Sequence, residues 1–164
     1  MYIDLKNFLI KNPININGVV HVGAHKGEEL NLYRSLKIKK VLLFEANPSL
    51  IKFLRIKSSF FNFLFDMNIF LENKALLDSL GKVNLNITSN SQSSSILNLK
   101  EHSIMYPTIK KIKEVKVPSS TLNYEFSKKY NIKNYNMLNM DIQGSELLVL
   151  KGSTNILKNF DLIY

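Results

Sequence analysis

The chain of 164 residues contains no cysteine. Disulfides and thiolate metal sites are therefore excluded, and a reducing compartment is permitted. No apolar run reaches the length that spans a bilayer, so no membrane span is expected. The opening residues, MYIDLKNFLIKNP, carry mixed charge and lack a small-residue cleavage site, which argues against a signal peptide. The expected location is cytoplasmic. Repeats and linker-like stretches are absent too, so one domain over residues 1–164 is expected. Acids are the minority: 13 Asp and Glu stand against 22 Lys and Arg, a formal charge of +9. Such a balance can attract polyanions. The lysines are scattered, however, as in Lys37, Lys39 and Lys40 or Lys110, Lys111 and Lys113. A solvated basic surface is the expected reading, not a nucleic-acid face.

What is present is a pattern of apolar strands that end in chemistry. VVHV runs into GAHKG, so Val19 to Val22 reads as a buried strand that enters a helix through a glycine turn. Gly23 at the strand end permits a sharp turn and a close backbone approach. Ala24-His25 stands where a dinucleotide motif has its second glycine, so a pyrophosphate is poorly served and a dehydrogenase ranks last. A second apolar run, VLLF, ends at Glu45. This acid lies about 20 residues past the glycines, the spacing at which a carboxylate reaches ribose hydroxyls. A surface salt bridge to Lys39 or Lys40 is the plainer alternative. Asn47 follows, either to contact a base edge or to cap the helix that Pro48 opens. A third run ends at Asp141, with Gln143, Gly144 and Glu146 at a helix entrance. Acids and an amide around a glycine turn suit ligand binding, although N-capping by Asp141 or Ser145 is the ordinary alternative.

The remaining elements follow from periodicity. Asp4 to Ile10 reads as a leading helix, Glu28 to Leu36 as a second, and Thr121 to Tyr130 and Ser145 to Leu150 as later ones. Strands are expected over Ile69 to Leu77, over Val83 to Ile87, over Tyr135 to Met140 and from Asp161. The aromatic run from Phe60 to Phe65 is expected in the core, and SNSQSSS as a polar loop. Helices alternating with apolar strands predict an α/β fold: a mainly parallel sheet with helices on both faces. The apolar run that stops at Tyr164 suggests that C-terminal strands are missing. No His and carboxylate cluster has metal-ligand spacing, so no metal is expected.

Several segments in order resemble the FkbM-type methyltransferase family: VHVGAHKGEE, VLLFEANPSL, NKALLD with GKVNLNITSNSQSSSIL, VKVPSSTLN and NMDIQGSELLVLKGS. Ser145 stands where that family often has alanine. The resemblance implies a Rossmann-like class I methyltransferase domain that uses S-adenosyl-L-methionine to methylate a hydroxyl of a sugar, glycan or other small molecule. It places Gly23, Ala24 and Gly27 beneath the methionine part of the cofactor. It places Glu45 on the ribose, Asn73 and Ala75 to Asp78 near the adenine, and Asp141 near the methyl donor and the acceptor. His25 and Asn47 join the cofactor set as candidates. Asp141, His102 and His25 are the candidate bases, and Ser93 to Ser95 could line the acceptor pocket. Two alternatives stand beside this reading. An RNA-modifying methyltransferase is favoured by the charge alone, and a truncated, non-catalytic cofactor-binding module by the end at Tyr164.

Overall fold

The structure is a computed structural model, and it describes residues 4–88, 96 and 111–164. Five parallel strands form the main sheet: β1 (Gly18–Val22), β2 (Lys40–Phe44), β3 (Asn68–Glu72), β7 (Met137–Met140) and β8 (Leu162–Ile163), in the order β3-β2-β1-β7-β8. β1 is central, and Val20 lies opposite both Leu42 of β2 and Leu138 of β7. The chain moves to one side through β2 and β3, then returns to the other side as β7. The switch point therefore falls between β1 and β7, and a crevice opens beyond the carboxyl ends of those strands.

Alternation along each strand divides the core in two. Val19, Val41, Leu43 and Ile69 face α1 (Leu5–Lys11), α2 (Leu30–Ser35) and α3 (Pro48–Phe65), where Leu5, Leu30, Tyr33, Leu54 and Phe61 are buried. Val20, Val22, Leu42 and Phe44 face the opposite layer, which holds α4 (Leu122–Lys128) and α5 (Glu146–Lys151). The expected sheet with helices on both faces is thus the observed one. On the α1–α3 side lies a buried polar chain: Asn139 donates to the Tyr33 hydroxyl at 2.6 Å, and that hydroxyl lies 3.2 Å from His21 Nδ1. Burial pushes the His21 imidazole down to about 4, so it is held neutral.

A smaller sheet, ordered β4-β6-β5, joins β4 (Ala75–Leu76), β5 (Gly81–Thr88) and β6 (Lys111–Ser120). Its Ala75, Leu85, Ile87 and Val117 form a core of their own, against which Ala46 packs.

Four expectations need correction. The strand expected over Ile69 to Leu77 is two strands in different sheets, because Asn73 Nδ2 donates to the carbonyls of Glu45 and Ala46 and turns the chain there. The expected strands omitted β6, because in that basic stretch only Val115 and Val117 supply inward apolar positions. The helix expected from Glu28 begins at Leu30, since the Glu28 carboxylate accepts from the Lys26 amide at 3.1 Å and belongs to the turn. The aromatic run does not all reach the core. Phe61 is buried, but Phe60 and Phe63 are exposed, because successive helical residues turn by about 100° and six in a row cannot share one face.

Candidate functional site

Two turns at the carboxyl edge of the sheet shape the site. The first follows β1. The amides of Gly23 and Ala24 both donate to the Phe44 carbonyl, at 2.9 and 3.1 Å, which ties the turn to β2. Gly23 has φ +84, and a Cβ there would lie 2.1 Å from the Asp141 carbonyl oxygen. Glycine is required at this position by the backbone of the second turn. Gly27, with φ +66, sits against Leu30 and Leu54, and Lys57 of α3 donates to its carbonyl at 2.8 Å.

Glu45 closes the first turn. Its side chain is buried, with one oxygen accepting from the His25 amide and the other from the Asn47 amide, both at 2.7 Å. Burial pushes its carboxyl above the usual range and outweighs these two hydrogen bonds. Lys39 pairs with Asp66 and Lys40 donates to Asn134, so neither supplies the salt bridge weighed for Glu45. His25, itself at φ 45, lies 2.8 Å from Glu28 Oε1 through its Nδ1. Burial acts to raise the Glu28 carboxyl, but the contacts with His25 prevail and hold it low. Glu29 goes the other way: burial raises it, and the nearby charges of Glu28 and Asp141 add to the effect.

The second turn follows β7. The Asp141 amide donates to the Val22 carbonyl at 3.0 Å, while its side chain is exposed and accepts from Gln143 at 3.1 Å. Glu146 braces this turn, accepting from the amides of Gly144 and Ile142 at 3.2 and 3.4 Å. Neither Asp141 nor Ser145 caps α5 through its side chain. The Ser145 hydroxyl is buried and has no hydrogen-bond partner among the described residues. Such a group costs about 1–3 kcal/mol when left unmade.

One cavity lies between the turns. Gly23, His25, Glu28, Glu29, Glu45, Asp141 and Ser145 line it from the edge of the main sheet, and Lys74, Ala75, Leu76 and Leu85 from the smaller one. Of the residues expected at the site, Gly23, His25, Glu45, Ala75, Leu76 and Asp141 are brought together here. The others sit behind them: Ala24 is fully buried among core residues, and Asn47 accepts from the Ser49 amide at 3.0 Å as the cap of α3. Asn73 holds the β2 loop. His102 and Ser93 to Ser95 lie outside the described residues.

Sequence reading missed Lys74, Glu29 and Ser145 as wall residues. Lys74 sits between two residues already singled out, but nothing local shows its partners. Its ammonium lies 3.0 Å from Glu125 and 3.3 Å from Glu72. Glu125 also accepts from the Ser120 hydroxyl at 2.5 Å, and Lys129 and Tyr130 bond Glu72. The charge of Lys74 is thus spent on its own neighbours. Four carboxylates face the cavity with no free cation opposite among the described lining residues, within a chain of net charge +9.

A parallel sheet with its cavity at the switch point, walled by an acid from each neighbouring strand end, defines a Rossmann-like methyltransferase fold. The model of the methyltransferase FkbM domain matches residues 21–164, and the chain belongs to that family. Among solved structures, the crystal structure of methyltransferase FkbM from Methylobacillus flagellatus KT is similar, with a TM-score of 0.59 and 17% identity. The match covers 89% of this chain and 32% of that one, so the chain spans about a third of that protein's length. At this identity the likeness is one of fold. No curated protein matches the chain.

Proposed function

We propose that this domain binds S-adenosyl-L-methionine in the acid-walled cavity and transfers its methyl group to a hydroxyl of a sugar, glycan or other small molecule. The observation that carries the reading is the clustering of Glu28, Glu29, Glu45 and Asp141 around one cavity of a basic, methyltransferase-family chain. The residues fit the cofactor. A cationic sulfur relieves the repulsion from Glu28 and Asp141 that adds to the effect of burial on Glu29. Each Glu45 oxygen uses one lone pair on a backbone amide and keeps another for a ribose hydroxyl. The unpartnered Ser145 hydroxyl offers one further hydrogen bond at the wall.

When bound, S-adenosylmethionine supplies a methyl group already activated by its positive sulfur. The protein's task is to hold the acceptor oxygen in line and to receive its proton. Positioning of this kind contributes roughly 7–11 kcal/mol. Asp141 is suited to the second task, because it stands at the cavity wall with its carboxylate exposed, and Gln143 fixes one oxygen. A general base adds about 10²–10⁴-fold. Four carboxylates on the wall repel a phosphate backbone, which favours an uncharged hydroxyl acceptor over RNA.

Calorimetric titration with S-adenosylmethionine and S-adenosylhomocysteine tests the first half of this reading, and methyl transfer to a panel of sugars and glycans tests the second. Saturable binding is expected with both nucleosides. No binding of either would overturn the reading, and binding without turnover on any acceptor would favour a cofactor-binding module.

A further inference from the structure

The longest helix, α3, carries a second surface that the cavity does not use. Leu54, Ser58 and Phe61 face the core. On the opposite side Phe53, Ile56, Phe60, Phe63 and Leu64 are all exposed, and Phe63 retains 91% of its full accessibility. At 100° per residue, these five positions fall within about 100° of arc. Single exposed apolar residues are ordinary, but a contiguous stripe marks an interaction surface. Folding does not account for it, since the helix is already anchored by its other face.

The charges of the helix say what would cover the stripe. α3 contains Lys52, Arg55 and Lys57 and no acid. Lys52 and Arg55 are exposed on one flank of the stripe, and Lys57 lies on the other, with its ammonium on the carbonyls of Lys26 and Gly27. Two copies meeting through this face would bring cations of the same sign together. An anionic surface with an apolar interior matches both features at once: phosphate headgroups for the cations, acyl chains for the phenylalanines. No described helix is long and apolar enough to cross a membrane, so the contact is one of lying on the surface.

We propose that α3 is a docking face for an anionic lipid membrane, with Phe53, Ile56, Phe60, Phe63 and Leu64 entering the headgroup boundary and Lys52 and Arg55 on the lipid phosphates. This inference stands apart from the methyl-transfer reading and holds or fails without it.

The test is co-sedimentation of the full chain with vesicles of equal parts phosphatidylglycerol and phosphatidylcholine, beside vesicles of phosphatidylcholine alone. Binding to the first and little to the second is expected. Lys52→Glu with Arg55→Glu should weaken binding by about fivefold or more for each cation removed. Phe63→Ser should weaken it roughly tenfold, with an unchanged thermal melt because the side chain supports nothing. The chain has no tryptophan, so Phe63→Trp adds a single reporter, whose emission should shift to the blue on anionic vesicles alone. Failure of the wild type to bind anionic vesicles would overturn the proposal. So would equal binding by Phe63→Ser, which would mean that net charge alone is at work. A dimer that Phe63→Ser dissolves, with vesicles left unbound, would assign the face to a second copy instead.

Discussion

The two turns that shape the cavity are built on opposite principles. In the turn after β1, polar groups find partners within the protein: Glu45 takes the amides of His25 and Asn47, Lys57 takes the carbonyl of Gly27, and Gly23 leaves no room for a side chain. In the turn after β7, the backbone is braced by Glu146, but the Asp141 carboxylate stands exposed and the Ser145 hydroxyl is buried without a partner among the described residues. The first turn is thus finished by the fold. The second keeps hydrogen-bonding capacity for something else. Substitutions in the first should be read in stability, and those in the second in binding and rate.

The largest effect should come from Gly23→Ala. Its Cβ would overlap the Asp141 carbonyl at a φ that alanine disfavours, so a loss above roughly 4 kcal/mol in urea unfolding, or failure to fold, is expected. Asp141→Asn should sharpen the contrast by doing the reverse. Its melting temperature should stay near wild type, while the rate of methyl transfer falls by about 10²–10⁴-fold. A large loss of stability in that variant would break the comparison.

The support of the first turn also has a pH signature. His21 lies in β1, directly before it, and its folded value of about 4 is below the unfolded 6.5. The neutral imidazole contributes stability that is fully present above 6.5 and is lost as pH falls toward 4. The span corresponds to about 3 kcal/mol. Urea titrations at several pH values should show wild type losing this stability between pH 6.5 and 4, and His21→Asn lacking that part of the pH dependence.

Two orphan hydroxyls give a smaller and more discriminating test. Ser58 in α3 and Ser145 at the cavity are both buried without partners among the described residues. Ser58→Ala should raise the melting temperature slightly and leave S-adenosylhomocysteine affinity unchanged. Ser145→Ala should be equally harmless to stability but should weaken that affinity by roughly fivefold, about 1 kcal/mol. If the two variants behave alike, Ser145 has no special relation to the cavity.

The smallest effect concerns Glu29. Its carboxyl is raised in the fold, so it destabilises the free protein as pH rises from the ordinary glutamate value through the raised one. Only the ionised form attracts a cation, so affinity for S-adenosylmethionine should rise over that same window. Stability and affinity should therefore move in opposite directions in the wild type, and Glu29→Gln should flatten both.

Much of the frame was legible in the residues. Val19 to Val22 and Val41 to Phe44 announce buried strands through unbroken apolar runs, and Glu45 and Asp141 announce themselves as acids where such runs stop. Helix boundaries were less clear where a side chain serves a turn, as Glu28 does. The smaller sheet was least legible. Its β6 alternates lysines with two valines, and its β4 is two residues long, made by the bend at Asn73. The exposure of Phe60 and Phe63 was hidden because composition reports apolarity and not direction.

The sequence by itself determined the main-sheet strands β1, β2 and β7 and the helices around them, the positions of the acids at strand ends and the family to which the chain belongs, because those depend on local periodicity and motif. Only the tertiary structure decided that Gly23 must make way for the Asp141 carbonyl, that Lys74 is neutralised by Glu72 and Glu125, and that Ser145 is left with a hydrogen bond to give. Each of these is a meeting of distant segments. Partners and clearances of that kind are fixed by how the strands register and pack, and no local pattern encodes them.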